Sequence, residues 1–364
     1  MTDHSTSWTT CDGILFYCRA GFEKDCAAEI SHRAGELAVP GYCQAQSNSG
    51  FLHFHVVDPE AMARLLRALD WRDLVFPRQW LGRLRRIEGL SEGRRVEEIL
   101  DALPSELTAI SQLLLEYPDT NAGKSLSRFC RRFHRPLSAG MQHAGVRMTP
   151  DSRAPRLHLF FEDSGAVELA LSDPERCASW PQGIPRLRMP RGAPSRSTLK
   201  LEEAFLVLLQ PRERSALLRP GATAVDLGAA PGGWTWQLIQ RGLQVTAVDN
   251  GPMHEEIMAS GLVDHRREDG FRYRPTRPVD LLICDMVEQP SRIADLMARW
   301  LQQGLCRAAV FNLKLPMKQR FRAVQDGLKR LPAADSRGRP LTIRCRQLYH
   351  DRDEVTVAVL PILS

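Results

Sequence analysis

The chain has 364 residues, of which 43% are hydrophobic and 25% charged, with a formal net charge of +6. That composition excludes a disordered chain and leaves room for two or three packed domains. No apolar run approaches the roughly 18 residues of a membrane span, and MTDHSTSWTTCDG has neither the basic region nor the apolar core of a secretory signal. Nine cysteines are scattered singly, without a CxxC pair or a Cys/His cluster at zinc spacing. No metal site is expected, each thiol reads as a small buried residue, and the unpatterned set points to reduced cysteines in a cytoplasm.

In chain order, Ile14 to Arg19 predicts a strand and Phe22 to Gly35 a helix, since Phe22, Cys26, Ala27 and Ile30 repeat at helical spacing. Gly50 to Val57 alternates as a strand does, and Glu60 to Leu69 predicts a helix after Asp58-Pro59. These elements form a small α/β module, residues 1–75. A second module, 76–172, is expected to open at the stretch QWLGRLRRIEG, Gln79 to Gly89. A helix near Arg94 to Leu103, a strand over Gln112 to Pro118, a helix from Lys124 to Phe133, and strands over Pro155 to Asp163 and AVELALS then follow. Residues 173–194 hold five prolines and little periodicity, as a linker would. From 195 to 364 strands and helices alternate regularly: TAVDLG, QVTAVD, VDHRRED, VDLLICD and AAVFNLKL are separated by helical stretches, and TIRCRQLYH and EVTVAVL close the chain. That order predicts a Rossmann-like doubly wound parallel sheet with an antiparallel edge, preceded by small α/β modules.

Charge is unevenly spread. Between Asn121 and Leu159 stand eight Lys or Arg and a single acid, Asp151, and between Gln182 and Lys200 five cations and no acid. Such windows are often solvated faces, but in a nearly neutral chain they favour a polyanion, with nucleic acid leading. Phe129 and Phe133 among these arginines are placed either to stack on bases or to sit in a core.

The stretch VDLGAAPGGWTWQL runs from a strand through a glycine-rich turn into a helix. It is neither GxGxxG nor a P-loop, because Trp234 stands where the P-loop lysine would be. Small residues still let a ligand approach the backbone. Asp249 ends the next strand, 21 residues after Gly228, where a carboxylate can hold ribose hydroxyls. Asp269 is expected at the end of the third strand, within reach of an adenine amino group. A nucleoside pocket without a phosphate clamp suits S-adenosylmethionine better than NAD.

The loop resembles that of the FtsJ-type ribose methyltransferases, with their D-x-x-A-A/C-P-G-G-[FW] pattern. APSRSTLKLEEAF, VDNGPM, EDGFRYRPTRP, CDMVEQP, FNLKLPMK and RQLYHDRDEVTV are similar to one branch, the bacterial 23S rRNA cytidine 2′-O-ribose methyltransferases (RlmM type). CRAGFEKDCAAEI is similar to that family and to the openings of proteins with THUMP domains, which bind RNA. The resemblance spans nearly the whole chain. It implies a ferredoxin-like module over 1–75, a THUMP-type RNA-binding module over 76–172, and a methyltransferase domain over 195–364. It also implies methylation of one cytidine in the peptidyl-transferase loop, on 23S rRNA or a pre-50S particle. A monomer is the simplest expectation. The family's Lys-Asp-Lys-Glu tetrad falls on Lys200, Asp285, Lys314 and Glu354. Expected cofactor contacts are Ser197, Asp226, Gly228, Ala230, Pro231, Gly232, Gly233, Trp234, Asp249, Asp269 and Asp285.

Chemistry agrees with those residue types. A 2′-hydroxyl is a poor nucleophile facing an activated methyl, so an enzyme must align the two and take a proton. Lys314 is the candidate base if burial and a neighbouring ammonium, Lys200, lower its pKa. Asp285 and Glu354 would hold both lysines and oppose that lowering, and the sequence leaves the balance open. Base methylation is disfavoured: DMVEQP replaces the [DNS]PP[YFW] of amine methylases, no Pro-Cys occurs, and Cys284 is expected to face the core. Two other classes are an NAD-dependent oxidoreductase, against which the missing GxGxxG counts, and an RNA-binding assembly factor without catalysis, against which the intact tetrad counts.

Overall fold

Gly13–Tyr17 (β1) is buried along its whole length, and a strand apolar on both faces must lie inside a sheet covered on both sides. The computed structural model, which describes residues 11–151 and 153–362, places it so. The first ten residues, read above as carrying no signal, lie outside the described residues. The chain divides into two compact units, one up to Ile184 and one from Pro185.

In the first unit, Glu23–Glu36 (α1), Gly41–Ala45 (β2), Phe51–Val56 (β3) and Pro59–Ala68 (α2) follow β1. Asp58 caps α2 by accepting from the amides of Glu60 and Ala61. Gln79–Ile87, the stretch expected to open the second module, comes next and is a strand, β4. Its Trp80, Leu81, Leu84 and Ile87 do fit a helical period. A bulge against its partner, between Arg83 and Arg85, shifts the alternation and hides the strand pattern. Pairing with β1 on one side and with Ala166–Ser172 (β9) on the other decides the outcome. Arg95–Asp101 (α3), Ala109–Ile110 (β5), Gln112–Glu116 (β6), Ser127–His143 (α4), Arg147–Met148 (β7) and Arg156–Asp163 (β8) complete the unit. The strand order is β2-β3-β1-β4-β9-β8-β6, so the stretches expected as two modules share one seven-stranded sheet, with β5 and β7 paired apart.

Helix α4 does not stop at Phe133 but runs ten residues further, through Pro136. The ring removes one backbone hydrogen bond, while Cys130, Leu137 and Met141 along the helix bury against the apolar face of β8 and β9. Phe129 and Phe133 stack on each other at 5.3 Å, and each makes a T-shaped contact with Phe161. Of the two placements open to them they take the core one. Seven cysteines are buried; Cys11 and Cys43 are half-buried.

The proline-rich stretch is a free linker only in part. The Arg156 guanidinium donates to the carbonyls of Pro174, Cys177 and Ala178 at 3.0–3.4 Å. Gln79 both donates to and accepts from Ala178. Glu116, itself buried, accepts from the Gln182 amide at 2.5 Å, the Tyr17 hydroxyl at 2.8 Å and His158 Nδ1 at 2.7 Å. Burial alone would raise the Glu116 pKa, but His158, Gln182 and Tyr17 outweigh it and hold the carboxyl below its usual range.

In the second unit the elements are Ser197–Leu208 (α5), Pro211–Leu217 (α6), Thr223–Leu227 (β10), Gly233–Ile239 (α7), Gln244–Val248 (β11), Glu255–Met258 (α8), Val263–Arg266 (β12), Val279–Cys284 (β13), Pro290–Gln302 (α9), Cys306–Lys314 (β14), Arg320–Leu328 (α10), Leu341–Arg346 (β15) and Glu354–Pro361 (β16). The sheet order is β12-β11-β10-β13-β14-β16-β15. The first five strands are parallel, and β16 runs antiparallel between β14 and β15. Strand order reverses between β10 and β13, and ligands of such sheets bind beyond the carboxyl ends at that switch.

Because Glu116 holds strand β1, strand β8 and the proline-rich stretch at once, Glu116→Ala should destabilise the first unit by about 3–5 kcal/mol in urea unfolding, taking away the carboxylate that the Tyr17 hydroxyl and His158 Nδ1 share. The carboxylate's contribution has a sign in pH. Its folded pKa lies below the unfolded value, so the stability is present above about pH 4.3 and is lost as pH falls through the folded value. The wild type should therefore lose more stability than the variant on acidification below that pH.

Candidate active site

Four charged side chains meet at the carboxyl ends of β13 and β14. Asp285 directly follows β13, and Lys314 is the last residue of β14. Glu354 opens β16, opposite Lys314 in the antiparallel ladder. Lys200 arrives from the first turn of α5. Each lysine reaches both carboxylates. Lys314 Nζ lies 2.8 Å from Asp285 Oδ1 and 2.6 Å from Glu354 Oε2. Lys200 Nζ lies 3.2 Å from Asp285 Oδ2 and 2.5 Å from Glu354 Oε1. The result is a closed ring of alternating charge, with Lys200 and Glu354 only 7% and 8% exposed.

Burial pulls the Lys314 pKa down, but Asp285 and Glu354 outweigh it and leave the ammonium favoured. Glu354 shows the mirror image: burial raises it, yet Lys200 and Lys314 hold it below the usual carboxylate range. The balance left open by the sequence therefore falls, in the protein by itself, on the side of a charged lysine.

Beneath the ring lies a layer the sequence reading missed. Asn312 Nδ2 donates to Asp285 Oδ1 at 2.8 Å, and the Thr356 hydroxyl donates to Asn312 Oδ1 at 2.8 Å. Thr356 also lies 3.1 Å from a carboxyl oxygen of Asp351. Asp351 is buried, and burial raises its pKa well above the ordinary value, with Lys200 opposing. Asn312 stands two residues before Lys314 and Thr356 two after Glu354, so period-two alternation was the available signal. One turn past Lys200 on α5, Glu203 accepts from the amides of Tyr349 and His350 and from His350 Nδ1 at 2.6 Å, tying down the loop before β16.

The glycine turn lies at the ends of β10 and β11. Gly228 and Gly232 have φ of 78° and 110°, which a side chain rarely adopts. A Cβ on Gly228 would meet Met286 Cγ at 2.7 Å, and one on Gly233 would meet the hydroxyls of Ser197 and Ser195 at 2.2 and 2.3 Å. Close packing within the protein thus already requires glycine there. Asp249 accepts from the Ala230 amide at 3.0 Å and the Gly251 amide at 2.7 Å, fixing the turn. Pro231 is exposed between them. Trp234 does not face the turn's open side: it is 3% exposed in the core cluster of α5 and α7. Asp269 is not at a strand end either. It lies three residues past β12, exposed, accepting from the Phe271 amide of its own turn. A strand of only four residues ended earlier than its composition indicated.

Asp226 is the buried member of this group. Oδ2 accepts from the Thr235 hydroxyl at 2.6 Å, and Oδ1 has no partner among the described residues. Burial, reinforced by the negative fields of Asp285 and Asp249, raises its pKa to about 7. A buried carboxyl with an orphaned oxygen, raised by two neighbouring carboxylates beside a small-residue turn, suits a cationic ligand rather than a phosphate. The residues present fit S-adenosylmethionine, whose sulfonium is positive. Cys284 is fully buried in β13 and its thiol is pushed up to about 12, as a core residue and not a nucleophile.

Comparison with known proteins agrees with this geometry. Residues 11–81 match the RlmM ferredoxin-like domain, residues 94–173 the N-terminal domain of ribosomal RNA large subunit methyltransferase M, and residues 193–315 the FtsJ-like methyltransferase domain. The chain is 47% identical over 346 residues to ribosomal RNA large subunit methyltransferase M of Thauera aminoaromatica, covering 95% of each. It is 50% identical over 344 residues to that of Pseudomonas aeruginosa (strain LESB58), covering 94% of this chain and 97% of the other. With the protein of that name from Azotobacter vinelandii it shares 51% over 347 residues, covering 95% and 97%. Near-complete coverage at half identity, over a methyltransferase sheet with a charged centre at its switch point, settles the relationship: the chain belongs to the ribosomal RNA large subunit methyltransferase M family.

Proposed function

We propose that this S-adenosylmethionine-dependent rRNA methyltransferase transfers its methyl group to the ribose 2′-oxygen of a cytidine in the peptidyl-transferase loop of 23S rRNA, with Lys314 as general base. The observation that carries the reading is the closed ring of Lys200, Asp285, Lys314 and Glu354 at the sheet's switch point. The missing GxGxxG counts against a hydride-transfer enzyme. An alcohol that must lose a proton while it attacks is served by a lysine held at this place.

The cofactor supplies a methyl group on a positively charged sulfonium, already activated. Asp226, Asp249 and the turn from Gly228 to Gly233 would hold it. Lys200 orients Asp285 and Glu354 and helps hold Glu354 ionised, and Asn312 fixes Asp285 from below. Lys314 takes the 2′-hydroxyl proton as the oxygen gains its methyl group. In the protein alone the lysine is protonated, so it must first release its own proton. A positive charge beside Asp285 competes for that carboxylate and draws the lysine's pKa down.

The first unit is read as the RNA-positioning part. Arg128, Arg131, Arg132 and Arg135 are exposed at spacings that share one face of α4. That leaves a cationic stripe for a phosphate backbone, while the adjacent phenylalanines serve the core. Action on free rRNA or on a pre-50S particle, as a monomer in the cytoplasm, completes the proposal.

Three outcomes are expected. Incubating the protein with labelled S-adenosylmethionine and unmodified 23S rRNA should yield a single alkali-resistant linkage at one cytidine. Lys314→Ala should abolish it while the cofactor's Kd changes by less than about threefold; label on a base, or equal activity in the variant, defeats the reading. Because the active form of a base is its neutral form and the Lys314 pKa is raised, kcat/KM should climb with pH across the neutral range, with log slope near about one, and level only in the alkaline region. A profile flat above neutrality would exclude Lys314 as the base. Replacing Arg128, Arg131, Arg132 and Arg135 by Glu should weaken RNA binding and flatten its salt dependence by about 0.7–0.9 in log–log slope for each phosphate that is no longer neutralised.

A further inference from the structure

A cleft of ≈ 590 Å³ opens directly beside Lys314, and none of the roles above uses it. Leu315 and Pro316, following β14, form one wall and Ala323 of α10 another, with Asp326 further along α10 and Glu288 ahead of α9. We infer that this cleft seats the cytosine base of the nucleotide being methylated, and that Asp326 reads its exocyclic amino group. The inference rests on the reading that a ribose 2′-oxygen is the acceptor.

Position argues first. In a nucleotide the 2′-oxygen and the base stand on adjacent ribose carbons, so a hydroxyl presented to Lys314 leaves its own base in the space next to that lysine. Lys314 belongs both to the charged ring and to the cleft wall. The volume falls within the range of small-ligand sites, roughly 300–1,000 Å³.

Charge argues next, and it excludes a phosphate. Two carboxylates, Glu288 and Asp326, line the cleft, and its two cations are committed elsewhere. Lys314 is held by Asp285 and Glu354, while Arg330 Nη1 lies 2.8 and 3.0 Å from the oxygens of Asp295. A polyanion's backbone finds repulsion here. The apolar walls accept a flat base, and a carboxylate accepts a hydrogen bond from an amino group. Glu288 is already engaged by Arg292. Among the described residues Asp326 has only Arg322, at 3.9 Å, and its carboxylate is 61% exposed, so it is the acceptor still open. Cytosine offers an amino donor at that edge and uracil a carbonyl, which a carboxylate repels.

The test uses the full chain, labelled S-adenosylmethionine and large-subunit rRNA transcripts carrying either cytidine or uridine at the position the wild type methylates. Ala323→Phe fills the cleft from α10 and should lower kcat/KM for the cytidine transcript by about tenfold or more, with the cofactor's Kd within about twofold of wild type. Asp326→Asn, whose amide can both donate and accept, should cut the wild type's preference for cytidine over uridine by about tenfold. Wild-type kcat/KM in a cofactor-binding Ala323→Phe, or an unchanged preference in Asp326→Asn, overturns the inference, as does a wild type that methylates both transcripts equally. If Ala323→Phe loses cofactor binding it is misfolded, and Asp326→Asn decides alone. A wild type that methylates no ribose at all defeats the 2′-oxygen reading itself, and is thereby distinguished from failure of the cleft alone.

Discussion

Two ammonium groups and two carboxylates withdrawn from water would each be costly alone, by several kcal/mol per ion. Closed into a ring in which every cation touches both anions, they satisfy one another. The second unit is organised around that closure. Asp285 must follow the strand next to the switch point, Lys314 must end the neighbouring strand, and Glu354 must open an antiparallel strand in register with it. Lys200 must come in from a helix outside the sheet. Asn312, Thr356 and Asp351 then form a buried polar layer that holds Asp285 from behind. The strong mutual attraction also keeps Lys314 protonated in the protein alone, so the ring that positions the base also restrains it.

The glycine turn and the ring are mechanically linked. The Thr198 hydroxyl donates to the Gly233 carbonyl at 3.0 Å, and Gln237 returns a bond to the Thr198 carbonyl. Ser195 and Ser197 fill the space over Gly233. The same helix carries Lys200 and, one turn further on, Glu203. A shift of the turn is therefore a shift of α5, of one ring lysine, and of the loop that Glu203 tethers ahead of Glu354. Cofactor turn and proton-handling residues form one packed assembly built from distant parts of the sequence.

The first unit is stabilised differently. Glu116 joins two strands and the proline-rich strap through bonds to Tyr17, His158 and Gln182, so a stretch that composition marks as a linker is half absorbed into the fold. Its cationic helix keeps two faces distinct: the arginines stay in water, and the phenylalanines between them complete the core against Phe161.

Much of this was legible from residues alone. Alternating strands and helices after residue 195, the DLGAAPGG turn, and Asp285 and Lys314 at predicted strand ends could be read because each depends on local pattern; Lys200 and Glu354 entered only through the family resemblance. Strand β4 could not be read locally, since a bulge gives it a helical spacing and only its two sheet neighbours decide for a strand. The halt of α4 at Phe133 was likewise a local signal overruled by burial of Leu137 and Met141. Trp234 was placed by the family's loop pattern and Asp269 by a predicted strand end, but whether a side chain turns to the core, to solvent or to a ligand is set by what packs against it. The sequence by itself determined the sheet, the turn and the charges available to the site. Only the tertiary structure decided that each lysine meets both carboxylates, which way Lys314 is driven, and that Asn312 and Asp351 stand behind them, because those are distances between residues that the chain keeps far apart.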